Sequence, residues 1–399
     1  MVCIRPDLSA PVHHRPSGAA NEGFGRIATI TGTTKNDSIL GTPGADKMSG
    51  LAGNDTYTVN HCDDVVIEAP GEGTDTVLAS VNFELPNDVE NLTLTGAGAI
   101  DGKGNDGDNV ITGNGGPNML TSGAGIDTLK GGAGNDVFVL GANLTAADKI
   151  DGGVGIDTLR LDGDYSAGIA FGPTTMVGVE QIALSDGNSY KLILGDANNA
   201  SSLLIDGSLL TGANALYVDG SAENASGLTV LGTEAVDTLI GGKGSDFFTG
   251  GKGGDFITGG AGVDTVSYDG SAVGVTVDLN SVGAQGGAGD AAGDVLSGIE
   301  NLVGSTGNDV FTGTAGNNAI RGGAGNDTIT AGAGDDVVLG EDGDDTLVFG
   351  ADLTIKDTID GGDGQDTLSL TGTTAPASPS APRSRTWNPS SWAPASTTS

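Results

Sequence analysis

Acidic residues recur in this chain at a fixed spacing of nine, which is its clearest sign of chemistry. The nonapeptide Gly322–Thr330 reads G-G-x-G-x-D-x-U-x, where U is a large apolar residue, and five copies of this unit, with substitutions at single positions, stand in unbroken register from Gly304 to Val348. Carboxylate and carbonyl oxygens in a flexible turn are ligands for a hard cation, and Ca²⁺ fits them best. If two nonapeptides form one coil, carboxylates eighteen residues apart lie close together and can share an ion.

The chain contains 18 copies of this nonapeptide, and the sixth position is Asp in 15 copies and Asn in three. The eighth position is large and apolar in every copy. We predict that the sixth-position side chains are the metal ligands, namely Asp37, Asp46, Asp55, Asn109, Asn118, Asp127, Asp136, Asp157, Asp237, Asp246, Asp255, Asp264, Asp309, Asn318, Asp327, Asp336, Asp345 and Asp366. The expected same-edge pairs are Asp37/Asp55, Asp237/Asp255, Asp246/Asp264, Asp309/Asp327 and Asp327/Asp345. Because Asp327 belongs to two pairs, its loss should weaken two neighbouring sites.

Each slot of the nonapeptide has a physical role. Glycine permits positive φ and tight turning. The x-U-x triplet places one side chain inward between two outward ones, as in a short strand. A fixed short period predicts stacked repeats rather than an ordinary globular core. The predicted fold is therefore all-β: stacked parallel β-roll or β-helix segments joined by β-rich spacers.

These nonapeptides resemble the haemolysin-type calcium-binding repeats of RTX (repeat-in-toxin) proteins. The resemblance covers all 18 copies, about 160 of 399 residues. It implies a parallel β-roll in which each Ca²⁺ lies between turns of adjacent coils, held by the sixth-position Asp and by backbone carbonyls. It also implies export by type I secretion and folding in extracellular calcium.

The amino-acid composition also indicates a protein that depends on cations. Asp and Glu total 52 against 16 Lys and Arg, giving a net charge of −36, while 72 residues are Gly. Without cations these charges repel, so folding should be coupled to metal binding. The charge disfavours a nucleic-acid partner. The two cysteines give no disulfide framework, and neither a membrane span nor a classical signal peptide is apparent.

The repeat runs alternate with spacers that lack the complete nonapeptide. We predict a disordered leader at 1–30 and calcium β-rolls at 31–60, 104–160, 232–267 and 304–370. Between them we predict a β-rich spacer at 61–103, metal-free β-coils at 161–231 and a β-excursion at 268–303. A motif of Val or Ile, then Glu, then any residue, then Leu or Ile recurs in the spacers, and its Glu90, Glu180 and Glu300 either cap the stack or bind a cation. Segment 140–161 returns as 349–370 with 14 of 22 positions identical, which indicates a duplicated module.

The tail at 371–399 changes to Pro, Ser, Ala and Thr and holds both tryptophans. It is either a disordered linker or a frameshifted reading of the duplicated module, and we favour the frameshift. Reading its codons one base early permits Asp-Tyr-Ser-Ala-Gly, the sequence found at 164–168 in the first module. The nucleotide sequence decides between the two. On the frameshift interpretation, the C-terminal secretion signal implied by the resemblance is missing.

No motif predicts a catalytic centre, so we expect a calcium-binding protein that is not an enzyme. The chain lacks H-E-x-x-H and G-x-S-x-G, and a G-x-G-x-x-G match at Gly102 has no strand-to-helix context. The expected role is structural or adhesive and extracellular, with a cell-surface or polysaccharide partner not identified. The alternatives are a C-terminal fragment of a larger RTX enzyme, of alginate epimerase or metalloprotease type, and a toxin.

Overall fold

The computed structural model describes residues 27–196, 202–224 and 227–371, and these residues form strands and turns with no helix. Within this part of the chain, no helix has the length and apolar character needed to cross a membrane. The chain divides into two compact units, the first up to Arg160 with Val177–Val179 and the second formed by Leu161–Met176 and residues from Glu180 onward. The predicted all-β class with stacked parallel coils is confirmed.

Strands β1 to β15 carry the chain to Leu161. They are β1 (Ala28–Thr31), β2 (Ser38–Leu40), β3 (Asp46–Ser49), β4 (Thr56–Val59), β5 (Val65–Ile67), β6 (Thr76–Ala79), β7 (Phe83–Glu84), β8 (Asn91–Leu94), β9 (Gly102–Lys103), β10 (Val110–Thr112), β11 (Met119–Thr121), β12 (Thr128–Ala133), β13 (Val137–Val139), β14 (Lys149–Val154) and β15 (Thr158–Leu161).

Strands β16 to β36 follow. They are β16 (Tyr165–Ala170), β17 (Met176–Val177), β18 (Gln181–Leu184), β19 (Tyr190–Ile193), β20 (Leu203–Asp206), β21 (Leu216–Asp219), β22 (Leu228–Thr233), β23 (Thr238–Ile240), β24 (Phe247–Gly251), β25 (Phe256–Thr258), β26 (Thr265–Ser267), β27 (Thr276–Asp278), β28 (Val295–Ser297), β29 (Asn301–Val303), β30 (Val310–Thr312), β31 (Ala319–Ala324), β32 (Thr328–Thr330), β33 (Val337–Asp342), β34 (Thr346–Phe349), β35 (Thr358–Asp363) and β36 (Thr367–Leu370).

Successive strands alternate between facing sheets, so two nonapeptides complete one coil. In the first unit the sheets are β1-β3-β5, β2-β4-β6-β8-β10-β12-β14 and β7-β9-β11-β13-β15. In the second they are β16-β19-β21-β23-β25-β28, β18-β20-β22-β24-β26-β29-β31-β33-β35 and β27-β30-β32-β34-β36. Pairing is parallel, and within the repeat runs Phe311 lies opposite Ile329, eighteen residues on.

Within the repeat runs the core is lined by eighth-position side chains, and the spacers add buried apolar residues of their own, such as Val77 and Leu92. In β30 and β32 the central residue is buried and its neighbours are not, as the x-U-x triplet requires. Phe311 and Ile329 are both fully buried. Neighbouring Val310 is 44% exposed. Apolar burial of one residue per nonapeptide thus fixes which face of each short strand points inward.

The spacers are built from the same parallel strands as the repeat runs. β5, β6 and β8 of the 61–103 spacer pair with β3, β4 and β10. Strand β1 begins at Ala28, within the predicted leader, so the leader prediction needs correction over its last residues. The remainder of the leader (1–26) and the tail after Thr371 lie outside the described residues.

The inward eighth-position side chains give a direct stability prediction. We expect Phe311→Ala in calcium-loaded protein to lower the free energy of unfolding by about 3–5 kcal/mol, because it removes a fully buried aromatic ring. The matched control Val310→Ala on the same strand should change it by no more than ~0.5 kcal/mol. Urea unfolding followed by circular dichroism measures both, and equal effects would contradict the inward assignment of Phe311.

Candidate calcium sites in the stacked turns

A ladder of hydrogen bonds joins the sixth-position residues of successive coils. The backbone N–H of each donates to the Oδ1 carboxylate oxygen of the residue one coil later. The distance is 2.7 Å for Asp37 to Asp55, 2.8 Å for Asp237 to Asp255 and 2.8 Å for Asp246 to Asp264. It is also 2.8 Å for Asp309 to Asp327 and for Asp327 to Asp345. All five pairs expected from the sequence are therefore brought together.

Sixteen of the 18 sixth-position side chains are buried, although most are carboxylates. The two half-buried ones belong to the first and last copies, Asp37 and Asp366. Burial of a charge is costly unless it is paired or bound to a metal. The ladder uses only one oxygen of each carboxylate. The turns therefore differ in whether the second oxygen, Oδ2, has a hydrogen-bond partner.

In the first two copies of each of the four runs, the turn itself supplies a hydrogen-bond donor, to the second carboxylate oxygen (Oδ2) of the five aspartates and to the single side-chain oxygen (Oδ1) of the three asparagines. The second residue of the copy donates its N–H across 2.5 to 2.8 Å to the sixth-position side chain, in the pairs Thr33/Asp37, Thr42/Asp46, Asn105/Asn109, Asn114/Asn118, Thr233/Asp237, Gly242/Asp246, Ser305/Asp309 and Thr314/Asn318. None of these eight second residues has positive φ. These turns have no orphaned oxygen for a cation to satisfy.

Later copies have a different turn. Buried Oδ2 atoms with no hydrogen-bond partner occur in Asp55, Asp136, Asp255, Asp264, Asp327 and Asp345. In all six copies the second residue is left-handed, with φ of 69° at Leu51, 99° at Gly132, 93° at Gly251, 107° at Gly260, 103° at Gly323 and 79° at Glu341. No N–H of these turns donates to the Oδ2, so each of the six carboxylates keeps one buried oxygen without a hydrogen-bond partner.

In these copies, glycine at the first position lies beside the unpartnered oxygen. A Cβ added at Gly322 would be 2.3 Å from Asp327 Oδ2 and 2.6 Å from the carbonyl oxygen of Gly340 in the next coil. At Gly340 the corresponding distances are 2.2 Å to Asp345 Oδ2 and 2.4 Å to the Gly361 carbonyl. Carboxylate and carbonyl oxygens thus converge on one point, which explains why a side chain is excluded there.

The donor set fits calcium. It consists of buried unpartnered carboxylate oxygens and backbone carbonyls, with no sulfur or imidazole, which is the chemistry of a hard cation. Burial raises the pKa of Asp327 to about 7, with repulsion from Asp309 and Asp345 as a further cause. Burial likewise raises the pKa of Asp255 to about 8, with Asp294 and Asp237 adding to it. These carboxylates lack a counter-charge, and a divalent cation would supply it.

In the three Asn copies the side-chain amide also donates a hydrogen bond. Asn118 Nδ2 donates to the Ile100 carbonyl at 2.6 Å, and Asn318 Nδ2 donates to the Glu300 carbonyl at 2.6 Å. Asn109 Nδ2 donates to Asn105 Oδ1 at 3.1 Å. The geometry therefore favours these three as ion-free members of the ladder, whereas the sequence predicts them as ligands.

The sequence prediction misses five aspartates that extend the ladder through the spacers. Their Oδ1 atoms accept the backbone N–H of a sixth-position residue at 2.7 to 2.9 Å, in the pairs Asp46/Asp64, Asp55/Asp75, Asp127/Asp148, Asp255/Asp294 and Asp336/Asp357. Each of the five is followed two residues later by a Val, Ile or Leu. This Asp-x-apolar triplet, without the glycines, is the signal that could have identified them.

Two of the recurring glutamates also join the ladder. Glu90 Oε2 accepts the Asp75 N–H at 2.7 Å, and Glu300 Oε2 accepts the Asp264 N–H at 2.9 Å. A carboxylate on a longer side chain here replaces the aspartate of the next coil. Both glutamates therefore link successive coils within the stack, since β8 pairs with β10 and β29 with β31.

A second ladder, at the fifth position, runs in the opposite sense. Asn54 N–H donates to Asn36 Oδ1 of the preceding coil at 2.9 Å. Asn326 N–H donates to Asn308 Oδ1 at 2.9 Å, and Asp344 N–H donates to Asn326 Oδ1 at 3.0 Å. Adjacent turns are therefore held in register from both sides, which keeps the carbonyls and carboxylates of the sites aligned.

Comparison with known proteins identifies the repeat. A family model described as the RTX calcium-binding nonapeptide repeat (4 copies) matches residues 22–57, 112–143, 231–266, 296–329, 312–347 and 356–371. The resemblance seen in the sequence is confirmed.

Curated relatives include two endo-1,3-1,4-β-glycanases of Rhizobium meliloti (strain 1021). ExsH is 35% identical over 108 residues, which is 26% of this chain and 23% of that protein. EglC is 36% identical over 84 residues, which is 21% of this chain and 18% of that protein. The chain therefore matches less than a quarter of the length of either relative.

The raised pKa values predict an acid-stabilised calcium-free state. A carboxyl whose pKa is raised on folding stabilises the fold below its unfolded pKa, and that contribution is lost as the pH rises through the folded value. For Asp327 and Asp255 this loss falls between the ordinary value of 3.8 and about 7 to 8. We expect more β-structure by circular dichroism without calcium at pH about 5 than at about 8. Saturating calcium should remove the difference, and a β signal that grows with pH in its absence would contradict the assignment.

The two kinds of turn predict unequal effects of two matched substitutions. Asp327→Asn should weaken calcium binding at two adjacent coils, because it replaces an unpartnered carboxylate that contributes to both. Asp309→Asn should change binding much less, because Ser305 already donates its N–H and hydroxyl to Asp309. We expect the calcium midpoint of folding to rise about tenfold or more for Asp327→Asn, equivalent to ~1.4 kcal/mol. Equal midpoints for the two variants would refute the distinction.

Proposed function

We propose that this chain, which carries RTX calcium-binding nonapeptide repeats, is a secreted protein that folds when calcium occupies its turns and then serves a structural or adhesive role outside the cell. The observation that carries the proposal is the recurrence of buried, unpartnered sixth-position carboxylate oxygens beside carbonyls of the next coil. A net charge of −36 adds a second reason for cation dependence, because the uncompensated chain repels itself.

The residues that would hold calcium are the sixth-position aspartates of the later copies, with Asp55, Asp136, Asp255, Asp264, Asp327 and Asp345 foremost. The ion supplies positive charge that offsets the burial of these carboxylates. The chain's own part is to present the oxygens in register, through the N–H to Oδ1 ladder and the left-handed turn residues. The first two copies of each run need no such compensation, so they are suited to begin a coil stack.

Calcium dependence would couple folding to location. Oxygen-ligand modules used outside cells bind Ca²⁺ with dissociation constants of roughly 10⁻⁴–10⁻³ M. Sites of that strength remain empty at cytosolic calcium levels, leaving the chain extended and exportable, and fill outside the cell. Type I secretion is the route implied by the repeat family. We further propose that the chain itself has no catalytic centre.

A second candidate is the repeat region of a larger secreted enzyme that acts on glycans. The observation that favours it is the partial identity to two proteins named as endo-1,3-1,4-β-glycanases. Alginate epimerases and metalloproteases are further possibilities from the sequence, as is a toxin. The coding sequence that flanks this chain discriminates between the candidates, because an adjoining catalytic domain would favour the enzyme.

The proposal predicts calcium-driven folding of the purified full chain. Far-UV circular dichroism without calcium at neutral pH should show a disordered spectrum, and millimolar calcium should produce a β spectrum cooperatively. Magnesium at the same concentration is the matched control and should have little effect, since Mg²⁺ retains its water and demands stricter geometry. A chain that is fully folded in chelator and unchanged by calcium would refute the proposal.

A further inference from the structure

The turn between β5 and β6 departs from the nonapeptide at its first position. Ser49 pairs with Ile67, so Glu68 follows β5 as Gly50 follows β3. Glutamate therefore stands where 16 of the 18 copies have glycine. The turn is also longer, because the ladder bond from Asp55 to Asp75 spans 20 residues rather than 18.

A side chain at the first position enters the space that the repeat leaves for a cation. At Gly50, an added Cβ would be 1.8 Å from Asp55 Oδ2 and 2.5 Å from the Tyr57 hydroxyl oxygen. Glu68 brings a carboxylate to this region, and the Tyr57 hydroxyl donates a hydrogen bond to its Oε1. Tyr57 is fully buried, so this bond fixes Glu68 against the core.

Three carboxylates meet here. One oxygen from each of Asp55, Glu68 and Asp75 lies within 4.8 Å of the other two. Asp55 is 1% exposed and Asp75 is 0% exposed. In each of the three residues, one buried oxygen has no hydrogen-bond partner: Asp55 Oδ2, Glu68 Oε2 and Asp75 Oδ2. Among the described residues, no lysine or arginine forms an ion pair with any of them.

We propose that Asp55, Glu68 and Asp75 form a calcium site of a second type, in which a spacer glutamate supplies a ligand that the nonapeptide does not encode. Three carboxylates with oxygens within 4.8 Å of one another, each carrying a buried oxygen without a partner, need a counter-charge. Carboxylate and phenol oxygens without histidine or cysteine select a hard cation over zinc. The adaptable geometry of Ca²⁺ suits ligands from a turn of non-repeat length better than Mg²⁺ does.

Tyr57 is a positioning residue in this site and also a built-in reporter. Tb³⁺ replaces Ca²⁺ at oxygen sites, and a nearby tyrosine transfers excitation energy to it. The test compares the full chain with Glu68→Gln, using equilibrium dialysis with calcium and tyrosine-excited Tb³⁺ emission. We expect the variant to bind one calcium ion fewer and to lose part of the sensitised emission. Glu72→Gln is the matched control on the same turn and should behave as the unsubstituted chain.

A second variant keeps the test valid if Glu68→Gln destabilises the first unit. Tyr57→Phe retains the ring and all three carboxylates, so it should bind the full number of calcium ions with reduced sensitised emission. Unchanged calcium number and emission in Glu68→Gln, or unchanged emission in Tyr57→Phe, would overturn the proposal.

The proposal of this site rests partly on the proposed function, because Asp55 also belongs to a repeat turn. Different experimental results would refute the two proposals. If the unsubstituted chain binds no calcium, both ideas are refuted. If it binds calcium and folds while Glu68→Gln matches it, only the second-type site is refuted.

Discussion

The structure depends on one hydrogen bond that is repeated in successive coils. In it, the backbone N–H of a sixth-position residue donates to the carboxylate of the following coil. It fixes the position of a charged side chain in a place that water does not reach. The bond uses one carboxylate oxygen and leaves the other to be satisfied by the turn. In Asp309 the turn provides that partner through Ser305, whereas in Asp327 it does not. The distribution of these two outcomes along the chain determines where cation binding is needed.

The first and the later copies of each repeat run therefore differ in their need for a cation. The opening copies are complete in themselves, through second-position N–H groups or through asparagine amides. Most of the copies that follow carry left-handed second residues and unsatisfied oxygens. Because a parallel stack grows by adding coils to an existing edge, a metal-independent first coil provides an edge on which cation-dependent coils can assemble. The repeat is thus uniform in sequence period but not in chemistry.

Much of this could be predicted from the sequence, because the period encodes it locally. The nine-residue spacing identified the coil, the inward eighth residue and the stacking of pairs such as Asp237 and Asp255. What the spacing could not encode is any contact whose partners are separated irregularly. Asp294, Glu90 and Glu68 reach the ladder or the site from insertions of different length. The role of Asn318 depended on which carbonyl its amide meets, and pattern alone does not specify that.

The same ladder bond closes across very different lengths of intervening chain. The partners are 18 residues apart for Asp37 and Asp55, 21 for Asp127 and Asp148, and 39 for Asp255 and Asp294. A segment inserted at a turn therefore leaves the coils on either side undisturbed. Evolution can graft loops of new composition onto this scaffold one turn at a time, and the scaffold tolerates them because its coils are aligned through space rather than by the length of the connecting chain.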